Sequence, residues 1–352
     1  LDFTYYKTDS RNQILKLATT AASGYTSQVR NAGHIRNRGY EIQLGAVPIQ
    51  TSKGFRWNLD LNYGANSSKV VKLDDEGLIT SYQLYSSGIQ ILASVGEAYG
   101  TLFGTSYVRD ANGNVVVDAN GLPKISTTNK TLGKFTPDWT GGISNTFSYR
   151  SLSLSFLIDA SVGGSIFSNT NKTGKYTGVL ANTLSGRDAE HGGLWYYTAA
   201  MGNNVRLPES PSYSVSSDGL YYAQVNGQST RVYQDGIMVE GVTESGSKNE
   251  EVVSAEKYYH RIYSIAEANV YDASYVKLRE VALSYRLPRL WTQKLHLQEA
   301  SVTLTGRNLW TIYKSVPNID PESALTTGNA QGVEAYSLPT TRSFGVNLSV
   351  KF

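Results

Sequence analysis

The 352-residue chain is 40% hydrophobic and 17% charged, and its 32 basic and 29 acidic residues leave a formal charge of +3. That charge is too small to point to a nucleic-acid partner, and the lack of cysteine excludes disulfides and thiolate metal sites. No run approaches the roughly 18 consecutive apolar residues of a spanning helix, but a mean hydropathy of −0.30 is blind to membrane strands, in which only alternate residues are apolar.

Leu1-Asp-Phe-Thr-Tyr-Tyr6 has neither the basic start nor the apolar core of a signal peptide. It reads as the middle of a β-strand, so the chain is expected to begin inside a larger protein. Tyr40, Ile42, Leu44 and Ala46 then alternate with Glu41, Gln43 and Gly45. The clearest period of two sets Phe55, Trp57, Leu59, Leu61 and Tyr63 against Arg56, Asn58, Asp60 and Asn62. Two further runs face each other across a tight turn: Trp139, Gly141, Ile143, Asn145, Phe147, Tyr149, and Leu152, Leu154, Phe156, Ile158, Ala160. Val281, Leu283, Tyr285 and Leu287 follow, then Val302 and Leu304, and last Phe344, Val346, Leu348, Val350 and Phe352. Helical spacing is nowhere sustained to a comparable extent. The expectation is an all-β protein with eight antiparallel strands in this chain.

Short connections are expected at Pro48 to Gly54, Arg150-Ser151 and Pro288 to Gln298, and long ones at about 74–136, 164–269 and 314–339. Loops this long are unusual in a compact soluble domain. Short turns at one rim and long loops at the other characterise a transmembrane β-barrel, short on the periplasmic side and long outside. A soluble β-sandwich would also alternate, because one face packs a core and the other meets water. Against it stand the loop asymmetry and the aromatics near the ends of the apolar runs: Tyr63, Trp139, Tyr149, Tyr285 and Trp310. On the barrel reading, Arg56, Asp60, Glu41 and Arg307 face a hydrated or plug-filled interior. By strand parity with Val281, Lys277 and Arg279 are expected above the apolar band on the lipid side, where they could meet lipopolysaccharide phosphate.

Several segments carry a resemblance. The closing alternation Phe344, Val346, Leu348, Val350, Phe352 resembles the C-terminal signal of bacterial outer-membrane proteins that barrel assembly machinery recognises. Asp272-Ala-Ser-Tyr-Val-Lys-Leu-Arg-Glu-Val-Ala-Leu-Ser-Tyr-Arg-Leu-Pro288, Gly306-Arg-Asn-Leu-Trp-Thr-Ile followed by Asp320-Pro-Glu322, Asn31-Ala-Gly-His-Ile-Arg-Asn-Arg-Gly-Tyr-Glu41 and Leu338-Pro-Thr-Thr-Arg-Ser-Phe-Gly345 resemble SusC/RagA-type TonB-dependent outer-membrane transporters. The likeness spans nearly the whole chain. It implies a barrel of twenty-two strands, a size class with a plugged lumen, of which residues 1–352 supply a C-terminal segment of a single β-barrel domain. The plug, the TonB-contacting segment and the earlier strands would lie outside the chain. It further implies a multi-pass protein of the bacterial outer membrane, importing oligosaccharides or oligopeptides with a SusD-like surface lipoprotein as lid and the TonB complex as energy source. Lipopolysaccharide and outer-membrane lipid would surround it, and no cofactor is implied.

Two constellations invite chemistry. Asp110-Ala-Asn-Gly-Asn-Val-Val-Val-Asp-Ala-Asn-Gly121 hints at a calcium loop, but glycine falls at positions 4 and 12 where an EF-hand needs Gly at 6 and Glu at 12. The repeated Asp-Ala-Asn-Gly fits hairpin turns instead. Arg187-Asp-Ala-Glu-His-Gly-Gly-Leu-Trp-Tyr-Tyr197 gathers two carboxylates, a histidine and three aromatics. Asp188 or Glu190 with His191 could serve as acid and base, yet no nucleophile motif or metal spacing accompanies them. Arg187, Asp188, Trp195, Tyr196 and Tyr197 are therefore candidates for holding sugar rings or peptide groups, beside the plainer reading of a loop packed on its neighbours or on a lid. Tyr82/Tyr85, Tyr221-Tyr222 and Tyr258-Tyr259 carry the same two readings. The functions in view are active import, a passive or structural barrel or surface glycan-binding module, and a barrel-borne hydrolase; the expectation is a transporter, not an enzyme.

Overall fold

The computed structural model describes residues 1–18, 24, 27–74, 76–294 and 296–352. The side chains of Asn31 and Ala32, which open one of the family-like segments, lie outside the described set.

Eight strands form the largest sheet. They are β1 (Asp2–Ala18), β2 (Ser27–Gln50), β3 (Phe55–Lys72), β4 (Trp139–Tyr149), β5 (Leu152–Val162), β6 (Tyr275–Arg286), β7 (Glu299–Lys314) and β8 (Ser343–Lys351). Each pairs antiparallel with its predecessor in chain order. The sheet is open: β1 and β8 are its two edges and do not pair with each other.

Register follows from the alternating pattern, because a slip by one residue would move every side chain to the other face. Leu44, Leu61, Ile143, Ile158 and Leu278 form one cross-strand row. Ile49, Trp57, Phe147, Leu154, Leu283, Leu304 and Val346 form another. At the turn end the row is Phe55, Tyr149, Leu152, Tyr285, Val302 and Leu348. The result is an apolar face across the sheet, interrupted by Asn145 of β4 and edged by aromatics: Phe55, Tyr149 and Tyr285 at the turn end, Tyr63 beside Trp139 at the other (5.6 Å between centroids). Phe55 and Tyr63 are eight residues apart in one strand, ~26 Å at ~3.3 Å per residue, matching the roughly 25 Å apolar band of a membrane barrel.

The opposite face is polar in register. Arg56, Ser148, Ser153, Ser284, Thr303 and Asn347 make one row, and Asp60, Ser144, Leu157, Glu280, Arg307 and Ser343 another. Hydroxyls and charges pair across it: Ser284 Oγ lies 2.7 Å from Thr303 Oγ1, and Arg307 Nε donates to Glu280 Oε2 at 2.8 Å.

Turn chemistry explains the short connections. Between β2 and β3, Gly54 takes a φ of +89° and its N–H donates to Thr51 O, while Thr51 Oγ1 accepts from Phe55 N. The β4–β5 turn has only Arg150 and Ser151 outside the strands, and Arg150 adopts the positive φ (53°) that such tight hairpins require, laying its guanidinium on Tyr149. The connection from β6 to β7 contains helix α3 (Arg289–Lys294).

The long connections are not simple loops, and they hold helices that the sequence pattern did not announce. α1 (Asn169–Thr177) starts at Ser168, whose Oγ accepts from Asn171 N, and stops at Gly178 in the left-handed region. α2 (Ala255–Tyr263) is capped by Ser254. No helix among the described residues is long and apolar enough to cross a membrane.

The chain divides into two compact units: residues 1–102, 133–166 and 271–352, and residues 103–132 and 167–270. The first contains the wall sheet and two satellite clusters. One is Val70, Leu73 and Ala93 with Tyr82 packed on it; the other is Ile166, Val316 and Ile319 with Tyr271. The second has a six-stranded sheet and two cores, Trp195, Ala223, Val232 with Tyr197 and Tyr221, and Val117, Val239, Val253 with Tyr258.

Candidate functional site

In the second unit, the segment from Arg187 to Tyr197 divides its residues between scaffold and surface. Arg187 Nη2 donates to Gly178 O (2.6 Å) and Thr183 Oγ1 (3.0 Å), tying the segment to the end of α1. Asp188 caps the turn Ala189–His191: its Oδ1 accepts from His191 N at 2.9 Å and lies 2.7 Å from His191 Nδ1. Those hydrogen bonds from the His191 side chain and backbone hold the Asp188 carboxyl below its ordinary value. His191 is exposed and Asp188 half-buried, and a polar ligand can reach the pair from the His191 side.

Trp195 and Tyr196 are only 6% and 5% exposed. Trp195 stacks on Tyr213 at 4.9 Å and meets Tyr221 edge-on. Tyr196 stacks on Tyr233 and donates its hydroxyl to Asp235 Oδ1 at 3.1 Å. Burial, with the Asp235 carboxylate, pushes the Tyr196 phenol up; burial likewise raises Asp235 against the opposing hydrogen bond from Tyr196. Tyr197 is half-buried at the margin of the same cluster.

A cavity of about 660 Å³ lies in this unit, lined by Tyr107, Lys175, Ile237, Glu240, Tyr258 and Tyr259 among others. Gly186, Gly192 and Leu194 border it, so the expected segment runs along its rim, but none of Arg187, Asp188, Trp195, Tyr196 or Tyr197 lines it. Tyr259 donates its hydroxyl to Asn182 O and Ser185 O, bracing the rim. Lys175 is buried and donates to Ala268 O (2.6 Å) and Asn269 Oδ1 (3.1 Å); burial lowers its pKa to about 8. The Tyr258-Tyr259 pair was legible as an aromatic doublet, whereas Lys175 gave no signal among many surface lysines.

The two Asp-Ala-Asn-Gly repeats are hairpin turns. Asp110 Oδ1 accepts from Asn112 N and Asn114 N, and Asp118 Oδ1 from Asn120 N and Leu122 N. One oxygen of each carboxylate is thus committed to turn amides, with Gly113 and Gly121 at positive φ, and Asp118 Oδ2 also accepts from Arg261 Nη2 at 2.9 Å.

In the first unit a charged cluster replaces the expected lipid-facing pair. A bulge between Leu278 and Glu280 leaves Arg279 as an extra residue, so the alternation changes phase there. Leu278 and Val281 both stay on the apolar face, and Lys277 moves to the polar face opposite Asp159. This corrects the parity reading of Lys277 and Arg279. Lys277 is 2% exposed, and its Nζ donates to Asp320 Oδ1 and Glu322 Oε2, each at 2.6 Å. Arg279 pairs with Asp159 and Glu322 and donates to Asn308 Oδ1. Tyr275 donates to Glu322 Oε1. Asp320 Oδ2 also accepts from the Thr340 N–H and hydroxyl. Burial raises the Asp320 carboxyl, but hydrogen bonds from Lys277, Thr340 and the Glu322 amide outweigh it and hold it at about 2. Glu322 is lowered in the same way, burial being overcome by Arg279 and Lys277. Asp320-Pro-Glu322 therefore pins the connection between β7 and β8 to the polar face of the wall.

Of the closing alternation, Phe344, Val346 and Leu348 stand exposed on β8, aligned with Gly306, Leu304 and Val302 of β7; Val350 is half-buried and Phe352 exposed.

No protein-family model matches the chain. Among curated proteins, TonB-dependent receptor P3 of Formosa agariphila is 26% identical over 381 residues, covering 100% of this chain and 32% of the relative. TonB-dependent receptor P26 of the same organism is 24% identical over 379 residues, with the same coverage. The chain thus spans about a third of the length of these relatives. Among solved structures, the RagAB peptide transporter matches with a TM-score of 0.59 at 18% identity, over 99% of this chain and 33% of the other. The RagAB peptide importer in its closed-closed state matches with a TM-score of 0.58 at 17% identity, again over 99% and 33%. At these identities the structural likeness speaks to fold.

Proposed function

We propose that this chain, a homologue of the TonB-dependent receptors of SusC/RagA type, forms wall strands and surface loops of an outer-membrane importer. In this reading the open eight-stranded sheet is part of a larger barrel of twenty-two strands that closes with segments supplied elsewhere in the polypeptide. The observation that carries the reading is the apolar face running in register from β2 to β8 with a polar face behind it. A water-exposed sheet has no use for that much contiguous apolar surface, whereas hydrocarbon matches it and rewards a closed hydrogen-bond ladder.

The long connections then face outward and the short turns face the periplasm. The unit formed by residues 103–132 and 167–270, with its tyrosine-lined cavity, the half-buried Asp188 and the exposed His191, is the part we assign to capture of cargo or contact with a SusD-like lid. Arg187, Trp195 and Tyr196 shape that surface from within, and Tyr197 contributes at its edge. Cargo is an oligopeptide or an oligosaccharide, and import draws on TonB. Phe344, Val346, Leu348, Val350 and Phe352 are the segment offered to barrel assembly machinery. No reaction is assigned to the protein.

The test uses the full-length protein in its own host. Detergent-dependent recovery from the outer-membrane fraction, and uptake of labelled oligopeptides or oligosaccharides that stops when TonB is deleted while the barrel stays at the surface, is the expected result. Uptake indifferent to TonB would replace the proposal with a passive barrel. A product that remains monomeric in the aqueous fraction would end the membrane reading altogether.

A further inference from the structure

We infer that the cavity in the unit formed by residues 103–132 and 167–270 binds an extended peptide through one large apolar side chain buried in it, with the peptide main chain laid along the open edge of the strand Gln228–Met238. The inference deepens the role proposed above for this unit and rests on it. The strand Leu194–Thr198 pairs with Gln228–Met238, and their ladder ends at Leu194 opposite Gly236. On its other side Gly236 faces Ser254 of the strand Val252–Ser254, and that second ladder continues through Ile237 and Met238. Past Gly236 the first side is open: among the described residues no strand pairs there with Ile237 or Met238. Successive residues of an antiparallel strand turn their N–H and C=O groups to opposite sides. Whichever phase the second ladder has, Ile237 or Met238 presents both groups to the open side. Gly236, Ile237, Met238 and Val239 line the cavity, which puts this edge in its wall.

At about 660 Å³ the cavity lies within the range of ligand pockets. Pro123, Leu194, Ile237, Met238, Val239 and Ile262 give it apolar walls, and Tyr107 and Tyr258 add rings. Val239 and Ile262 are buried, whereas Asn182, Ser185 and Glu240 are exposed and form a polar rim. Lys175, the buried cation of the lining, already donates to Ala268 O and Asn269 Oδ1. A sugar carries several hydroxyls per ring, and against such walls they would lose water without gaining partners, which is costly. An apolar side chain gains from the same burial, and the flexible thioether of Met238 adapts to its shape. The amides on either side of that side chain then bond to the open strand edge, as when a peptide adds a strand to a sheet. An apolar anchor flanked by regularly spaced amides describes a peptide and not a glycan.

The experiment titrates full-length protein in detergent with the capped peptide acetyl-Ala-Ala-Phe-Ala-Ala-amide. The same peptide with Ser in place of Phe, its forms N-methylated at each of the central amides, and a linear glucose pentamer are the comparison probes. Replacing Phe by Ser is expected to weaken binding about tenfold or more, and N-methylation of at least one central amide about fivefold. The glucose pentamer should not compete. Ser185→Trp, which places a ring across the rim, should abolish peptide binding while the unit keeps its protease resistance. A benzophenone in place of the Phe ring should crosslink, in the wild-type protein, to residues 236–240 or 258–262, a result independent of any variant. Crosslinks elsewhere overturn the site. Equal affinity for the Phe and Ser peptides overturns the apolar anchor, and indifference to every N-methylation overturns strand addition. A glucose pentamer that binds as well as the peptide overturns the peptide assignment. Uptake indifferent to TonB with the crosslink in place rejects the transport proposed earlier and leaves this site, whereas TonB-dependent uptake with crosslinks elsewhere rejects the site alone.

Discussion

The indole N–H of Trp57 donates to Asn145 Oδ1 at 3.0 Å, joining β3 to β4 on the apolar face of the wall. Asn145 breaks the apolar alternation of β4, yet it is only 8% exposed. Trp57 stacks on Phe147 at 5.7 Å and Phe147 lies 6.1 Å from Phe156, so rings cover the amide while the indole satisfies its oxygen. A polar group without such a partner would be costly against hydrocarbon.

Trp57→Phe keeps the ring stack and removes the donor. The expected outcome is a loss of about 1–3 kcal/mol, the desolvation cost of an orphaned buried acceptor. It would be read as a lower temperature for conversion of the folded, fast-migrating barrel to the unfolded form. Asn145→Leu in the Trp57→Phe background should recover most of the loss, since both polar partners are then gone.

Lys277→Met leaves Asp320 and Glu322 without the ammonium between them. Breaking a buried pair this way typically costs about 3–5 kcal/mol. The connection between β7 and β8 should become sensitive to protease while the strands remain inserted. The triple change that also makes Asp320 and Glu322 into Asn and Gln should be milder than Lys277→Met alone, measured by the same digestion.

The same cluster predicts an acid transition. Asp320 sits at about 2 and Glu322 is also depressed, so both bind protons less readily folded than unfolded. Their contribution is full above the ordinary carboxylate range and disappears as pH falls from about 4 toward 2, on the order of 2 kcal/mol for Asp320. Protease sensitivity of residues 315–342 should rise in that window and not at pH 5 to 6. Asp320→Asn should flatten the response.

Lys175 predicts an alkaline trend in the other unit. Burial lowers its pKa to about 8, below the unfolded value, so between about 8 and 10.5 the unfolded chain holds the extra proton. Stability of this unit should therefore rise with pH across that range, by on the order of 3 kcal/mol. Urea unfolding followed by tyrosine and tryptophan fluorescence would show it, and Lys175→Met should remove the slope.

Trp195→Ala and Tyr197→Ala should separate scaffold from surface. The first empties a core position and should unfold the unit formed by residues 103–132 and 167–270, at a cost of about 3–5 kcal/mol. The second should leave that unit folded and weaken binding of cargo or lid. Equal loss of fold in both variants would argue against a contact role for Tyr197.

Eight strands, their two faces and the short turns were readable in the sequence because each depends on local alternation. Phe55 through Tyr63 can be written as apolar-out, polar-in without knowing any neighbour, and Thr51 to Gly54 and Arg150-Ser151 carry their own turn chemistry. Contacts distant in the chain were another matter. Nothing near Lys277 shows that Arg279 is an extra residue, so parity counted back from Val281 put Lys277 on the wrong face; only pairing with both β5 and β7 exposes the bulge. Trp195 and Tyr196 looked like a binding surface because an aromatic run in a loop has no period that separates core from surface. Their burial was decided by Tyr213, Tyr221 and Tyr233, residues brought to them by a sheet that the local sequence does not encode. Strand faces follow from the geometry of the pleat, a property of neighbouring residues, while burial and ion pairing follow from which distant segments meet, and that is settled only when the whole chain packs.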